Sequence, residues 1–278
     1  MVEAALILSR WLHEAAVTGL FGLALFRLHA PRTAPFPAGL RTVCALLALL
    51  AGLGWFYFAA ASMGGGLGEA LATIPTVLSG TDFGPLWMAR LALALVLCVP
   101  ALQRRPRPYA TLAGLLLASL ALTGHPRMHE GWAGWVHAAD DALHLLAAGA
   151  WLGALAAFLL LLRRAPRDVE TTRALADFAR TGSITVAVLL ATGIVNAALI
   201  LGGIAPLATT FYGRLLCLKI AAFGLMLALA AFNRFRLVPR LAGAPTLARL
   251  RRNVTLELAL GVMVLLIVAV IGTLDPSV

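Results

Sequence analysis

The sequence predicts an all-α membrane protein, a polytopic bundle of about eight transmembrane helices. Of its 278 residues, 61% are hydrophobic and only 12% are charged, whereas soluble domains carry about 25% charged residues. The apolar residues occur in blocks close to the ~20 residues that a helix needs to cross a bilayer. No segment alternates apolar and polar residues as the strands of a membrane β-barrel do, so helical spans are predicted.

The first four predicted spans lie in the first 124 residues. They cover residues 4–27, 41–62, 84–103 and 109–124. The connection after the second contains Gly64-Gly65-Gly66, which predicts a flexible loop. Because no P-loop lysine follows these glycines, they do not indicate a phosphate site.

The last four predicted spans include the two longest apolar blocks of the chain. They cover residues 133–162, 174–202, 212–235 and 253–274. The first two of these exceed the ~20 residues that a bilayer requires, so we expect them to project beyond it.

The basic residues predict the orientation of these spans. Seventeen of the 22 lysines and arginines fall in the loops after spans 1, 3, 5 and 7 or at the adjoining helix ends. By the positive-inside rule these loops are cytoplasmic, so both termini face outward, which in a bacterium is the periplasm. The formal charge of +10 is therefore explained by the orientation of the spans. The sequence predicts an inner-membrane protein in contact with lipid, and nucleic acid is not a predicted partner.

An internal repeat predicts two four-helix halves in the same orientation, residues 1–124 and 125–278. The matching positions are Thr81 with Thr210, Gly84 with Gly213, Leu86 with Leu215, Arg90 with Lys219, His13 with His144, and Gly22 with Gly153. Parallel repeats of this kind occur in transporters and place binding sites between the halves.

Histidine is concentrated on the predicted outer side. Five of the six histidines lie there: His13, His125, His129, His137 and His144. His137 and His144 are seven residues apart and share one face of a helix. An imidazole inside a bilayer is costly unless it pairs or binds something, so the cluster predicts metal ligands. Hydrogen bonds between helices, or positions in the wet interface, are the alternative explanation.

Methionines near these histidines narrow the predicted metal. Met128 is adjacent to His129, and Met63 and Met88 lie near the outer ends of spans 2 and 3. Thioether and imidazole ligands together suit copper, especially Cu(I). Zinc would more often bring thiolates or carboxylates, and the three cysteines are widely spaced. For Met63 and Met88, ordinary core packing is the alternative.

Polar residues inside the later spans are candidates for an ion pathway. These are Asn196, Lys219 and Glu257. Such groups usually face the interior of a bundle, where they either line a pathway or hold helices together through hydrogen bonds. No nucleophile–base pattern such as GxSxG is present, so the sequence does not predict an enzyme.

Segments in the second half of the chain resemble the CopD/PcoD family of copper resistance membrane proteins. They are Gly124-His125, residues 141–153, Thr192-Gly193, residues 212–219, Asn233-Arg234, residues 251–257 and Asp275-Pro276. The resemblance is closest over residues 120–276, and before them it depends on the number of spans and on His13. It implies an eight-span inner-membrane protein that moves copper from periplasm to cytoplasm. It also implies a separate periplasmic copper-binding partner of the CopC type.

The sequence therefore predicts copper transport, with copper as Cu(I) or Cu(II) held at an outer site and passed between the halves. The predicted ligands are His13, His125, Met128, His129, His137 and His144. The rival prediction is a membrane oxidoreductase that binds haem b, because histidines on bundled helices can be axial haem ligands. His13 and His144, matched by the repeat, would then form the ligand pair. A third reading is an assembly or sensor subunit that transports nothing.

Overall fold

The fold comes from a computed structural model that describes residues 1–29, 38–124, 128–164, 169–240 and 244–276. Within these ranges every regular element is helical, so the predicted all-α class is confirmed. Helices dominate because a bilayer offers no partner for backbone N–H and C=O groups, and a helix pairs them within itself.

The first half of the chain begins with two long helices. Its elements are α1 (Val2–His29), α2 (Ala38–Gly64), α3 (Ala70–Gly80), α4 (Phe83–Leu97), α5 (Pro100–Gln103) and α6 (Pro106–Ser119), followed by a 3-10 turn at Leu120–Thr123. Helix α3 lies in the predicted connection between spans 2 and 3, where the sequence analysis placed no helix. It buries Ala70 and Val77 although Pro75 interrupts its hydrogen bonding.

The second half also begins with two long helices. Its elements are α7 (Gly131–Arg164), α8 (Val169–Leu201), α9 (Pro206–Thr209), α10 (Phe211–Phe232) and α11 (Ala244–Ile271). Between α10 and α11 the chain forms a π-helical turn at Asn233–Leu237 and a 3-10 turn at Val238–Arg240.

Five helical segments of the described chain are long and apolar enough to cross a membrane, which makes this a multi-pass membrane protein. They are Gly39–Gly64, Gly131–Arg163, Gly182–Leu201, Phe211–Arg240 and Pro245–Ile271. The other three predicted spans correspond to α1, α4 and α6. Helix α1 has 28 residues but contains Arg10 and Glu14, while α4 and α6 have only 15 and 14 residues. The total of eight spans therefore stays a prediction.

Helix α1 is central to the packing, because it contacts α2, α6, α7 and α11. Its crossing with α7 is a backbone contact at Gly22 and Gly153. A Cβ added at Gly22 would collide with the backbone of Gly149 and Gly153, and one added at Gly153 would collide with Gly22. Small residues at helix crossings let helices in membranes approach closely enough for van der Waals packing to hold them together.

The predicted repeat positions Gly22 and Gly153 are thus in contact with each other. Two equivalent positions touch when they lie next to the axis that relates the two copies, as in a two-fold symmetric interface. This contact supports the prediction of two related halves.

The turns that precede α4 and α10 have matching local structures. Thr81 Oγ1 accepts a hydrogen bond from Gly84 N (3.3 Å) and donates one to Val77 O (2.7 Å). Thr210 Oγ1 accepts from Gly213 N (2.9 Å) and likewise donates to a carbonyl four residues earlier. A Cβ at either glycine would collide with the backbone of the preceding short helix. The Thr-x-x-Gly repeat therefore encodes one capped turn that is used twice.

We predict that Gly153→Ala lowers the free energy of unfolding by about 1–3 kcal/mol, because the added methyl group forces α1 and α7 apart. The measurement is thermal or denaturant unfolding of the purified protein in detergent. Gly19→Ala is the matched control, because Gly19 is on α1 and a Cβ there meets no described atom within 4 Å. Equal stability of Gly153→Ala and wild type would contradict the close crossing.

Candidate functional site

Two of the predicted ligands, His129 and His137, form a pair at the N-terminal end of α7. The chain enters α7 through Gly131, whose φ of 62° is a left-handed conformation that glycine adopts without steric cost. His129, just before this turn, lies against His137, with their Nδ1 atoms 3.2 Å apart. The His137 side chain is fully buried.

The His137 ring is oriented by hydrogen-bonded side chains that reach α8. Asn196 Oδ1 lies 2.9 Å from His137 Nε2, and Asn196 Nδ2 donates to Asp141 Oδ1 at 3.4 Å. Because the amide oxygen can only accept, Nε2 carries the proton of the neutral ring. The lone pair of His137 is then on Nδ1, the atom that faces His129.

His144 lies two helical turns deeper on α7, about 10 Å along the helix axis. Its Nδ1 is 2.9 Å from Thr192 Oγ1, and that hydroxyl donates its hydrogen to Val188 O at 2.7 Å. Thr192 therefore accepts from His144 Nδ1–H, which leaves the lone pair of the neutral ring on Nε2. Gly193 lies against the His144 ring, because a Cβ added at Gly193 would be 3.5 Å from His144 Cε1. A ring held in this way is suited to bind a metal ion through Nε2.

His13 occupies a separate pocket between α1, α2 and α4. Its Nδ1 donates to Ala48 O at 2.7 Å, and Gly52 lies so close that a Cβ there would be 3.0 Å from Nδ1. The rings of Trp55 and Trp87 lie 5.7 and 6.1 Å from the imidazole. Like His144, His13 directs Nδ1–H to a neighbouring helix and has a glycine against its ring.

Charged side chains connect the two histidine regions. Glu14, next to His13, forms an ion pair with Arg10 at 3.6 Å. The charges of Asp141 on α7 and Lys219 on α10 also act on Glu14. Lys219, a predicted pathway residue, is therefore in the electrostatic neighbourhood of both halves.

The three methionines that the sequence analysis singled out are all about half exposed. The exposed fractions are 57% for Met63, 50% for Met88 and 54% for Met128. Met63 and Met88 therefore lie at the surface of the bundle, while Met128 lies in the segment that carries His129.

Glu257 belongs to a different polar network from that of the histidines. Its Oε1 accepts from Asn233 Nδ2 at 2.5 Å, and Asn233 Oδ1 accepts from Asn253 Nδ2 at 2.8 Å. Asn233 begins the π-helical turn after α10. Turns of this type are frequent at functional sites.

His125 lies outside the described residues. Across the described part of the chain, no three or more His, Cys, Asp or Glu side chains are grouped so that they could hold a metal ion. The complete set of copper ligands therefore stays a prediction. Of that set, the structure describes the His129–His137 pair and the orientation of the His144 ring.

Three residues around these histidines were missed by the sequence analysis as parts of a site. In the sequence analysis, Thr192 and Asp141 appeared as parts of the segments that carry the family resemblance, without a role in the site. Arg90 was visible as one of the few basic residues outside the cytoplasmic loops, which is the signal that could have revealed it. An arginine within a predicted span needs an interior partner, and in the structure Arg90 is buried against Ser119.

Comparison with protein families covers most of the chain. Residues 1–135 match the family described as copper resistance protein D-like, N-terminal domain. Residues 172–271 match the family described as copper resistance protein D. No solved structure matches the chain.

Three known proteins are similar in sequence to this chain. Copper resistance protein D of Pseudomonas syringae pv. tomato is 36% identical over 93% of this chain and 92% of its own length. Inner membrane protein YebZ of Escherichia coli (strain K12) is 34% identical over 70% of each chain. Copper transport protein CutJ of Bacillus subtilis (strain 168) is 31% identical over 77% of this chain and 41% of its own length. The chain is therefore a member of the copper resistance protein D family of membrane proteins.

Proposed function

We propose that this protein carries copper across the bacterial inner membrane, from the periplasm toward the cytoplasm. The observation that supports this most directly is the placement of His137 and His144 on one face of α7, with His129, which precedes the helix, against His137. The family adds support, because its members are named for copper resistance and copper transport. The direction is supported by the predicted outward position of these histidines and the predicted cytoplasmic position of the arginine-rich loops.

Copper enters at the outer pair. The Nδ1 atoms of His129 and His137 lie 3.2 Å apart, and when the Nδ1 proton of His129 moves to its own Nε2, the two Nδ1 lone pairs can bind one Cu(I) ion with both rings neutral. Met128, half exposed in the same segment, adds a thioether of the kind that Cu(I) prefers. His125 is a further candidate ligand, since it precedes Met128 by only three residues.

His144 is the second copper-binding site of the proposed pathway. It shares one face of α7 with His137, and its Nε2 lone pair is available because Thr192 holds Nδ1–H. Neutral imidazole ligands let copper pass by ligand exchange without leaving a bare charged side chain in the bilayer. Asn196 and Asp141 hold His137 in place while the metal moves past it.

His13 stays a sequence-based prediction, and we leave it out of this pathway. Its Nδ1–H is directed to α2 as that of His144 is directed to α8, but its ring lies among indoles, with Trp55 and Trp87 at 5.7 and 6.1 Å.

The proposed architecture has eight spans in two four-helix halves, residues 1–124 and 125–278. The Gly22–Gly153 contact and the paired Thr-x-x-Gly turns support it. On the cytoplasmic side, the carboxylate of Glu257 and the amides that bind it are candidates for the release of copper. A separate periplasmic protein of the CopC type would deliver copper to the outer pair.

The haem alternative has no support from the described residues or from the relatives. His13 and His144 lie in different pockets, and each directs its Nδ1–H to a different neighbouring helix. A visible spectrum of the purified protein without a Soret band agrees with copper transport, whereas an intense Soret band would favour haem.

We predict that His137→Ala and His144→Ala each reduce Cu(I) affinity by about tenfold or more, because each removes a ligand nitrogen of the pathway. Bound copper is measured by elemental analysis, and transport by copper uptake into proteoliposomes. His29→Ala is the control, since this exposed histidine bonds its own helix at Leu25 O. Wild-type copper content in both alanine variants would remove these residues from the site.

We predict that Asn196→Leu lowers Cu(I) affinity by about 10–100-fold, the range typical when a group that orients a ligating histidine is removed. The reason is that His137 loses the acceptor for its Nε2–H. Competition with a colorimetric Cu(I) chelator measures the affinity. Ile194→Ala on the exposed side of the same helix should leave it unchanged, and an equal loss in both variants would point to a general effect on α8.

A further inference from the structure

Four buried polar atoms on α1 and α4 have no hydrogen-bond partner among the described residues. They are Arg10 Nε, His13 Nε2, Glu14 Oε2 and Arg90 Nη1. Arg10, His13 and Glu14 share one face of α1 because His13 and Glu14 follow Arg10 by three and four residues. Arg10 pairs with Glu14 at 3.6 Å, and the ring of His13 lies 5.7 and 6.1 Å from the two indoles over which the guanidinium groups lie, so the four groups share one neighbourhood.

Aromatic rings enclose these atoms. The Arg10 guanidinium lies 4.6 Å from the ring of Trp55, and the Arg90 guanidinium lies 4.9 Å from the ring of Trp87. The two indoles are in edge contact, with centroids 4.6 Å apart. His13 is 0% exposed and Arg90 is 1% exposed, so these side chains are closed to bulk solvent.

The four atoms divide evenly into donors and acceptors. Arg10 Nε–H and Arg90 Nη1–H can only donate. His13 Nε2 accepts, because Nδ1 has given its hydrogen to Ala48 O, and Glu14 Oε2 accepts as the second oxygen of the carboxylate that pairs with Arg10. Buried polar groups that stay unpaired are strongly unfavourable in a membrane interior, so a ligand that serves both kinds of atom is required.

The presence of two donors and two acceptors favours water over a metal ion or an anion as the ligand. A metal ion would serve only the two acceptors and would be repelled by two guanidinium groups. A small anion would serve only the two donors and would be repelled by Glu14. Water has two hydrogens and two lone pairs, and buried waters typically make about three hydrogen bonds to such groups.

We propose that this pocket, lined by Arg10, His13, Glu14 and Arg90, binds ordered water inside the outer half of the membrane domain. The proposal is independent of copper binding. Because Asp141 and Lys219 also act on Glu14, the hydrated pocket adjoins the polar region between the two halves. His13 then serves as a hydrogen-bond acceptor for water, while its repeat partner His144 is the copper ligand.

Hydroxyl-radical labelling by X-ray radiolysis tests the proposal on the copper-free wild-type protein in detergent. Radicals form from water, so a buried side chain is oxidised rapidly only when a water molecule lies beside it. Trp87 and Trp55 should be oxidised about threefold faster than Trp151, or more. Trp151 is the matched control, because it is also buried, at 4% exposure, and packs against Phe223. Labelling of Trp55 and Trp87 no faster than that of Trp151 overturns the proposal.

Two further measurements separate water from the other ligands. Adding Cu(I), or exchanging chloride for gluconate, should leave the labelling of Trp87 unchanged. A loss of labelling with either would assign the pocket to a metal ion or an anion instead.

The second measurement uses a folded Arg90→Met variant. Its labelling of Trp87 should fall about twofold or more, because one donor to the water is lost. The control Arg214→Met changes an exposed arginine and should match wild type. If Arg90→Met does not fold, the comparison within wild type decides alone.

Discussion

The requirement that polar groups inside a bilayer find partners within the protein governs this structure. The backbone meets it by forming helices, and the buried side chains meet it by pairing across helices. His137 bonds Asn196 on α8, His144 bonds Thr192 on α8, and His13 bonds a carbonyl on α2. These bonds hold each ring in one tautomer, so the same constraint that stabilises the bundle also determines which nitrogen is available to a ligand.

Close helix packing brings these bonds within reach. Gly22 and Gly153 let α1 and α7 meet at their backbones, so the helix that carries His13 and the helix that carries His137 and His144 lie side by side. The charges of α1 and α7 consequently act on each other through Glu14 and Asp141. The polar interior of the protein is thus shared between the two halves of the chain.

Repeat-related histidines differ in chemistry because their neighbours differ. The ring of His144 has the Thr192 hydroxyl at its Nδ1, whereas the ring of His13 has a backbone carbonyl at its Nδ1 and lies against two indoles. Two helices matched by the predicted repeat can therefore direct Nδ1–H of their histidines in the same way and still suit different ligands. In our proposals the C-terminal half binds copper and the N-terminal half binds water.

The sequence alone determined the helical membrane class, the shared face of His137 and His144 and the repeated Thr-x-x-Gly pattern, because composition, helical period and residue spacing are local properties of the chain. The tertiary structure decided the bonds of His137 with Asn196 and of His144 with Thr192, whose residues are 59 and 48 positions apart. It also decided that Met63 and Met88 lie at the surface and that α3 forms. These features depend on how each helix is rotated against its neighbours, and rotation is set by close packing of the whole bundle rather than by any one segment.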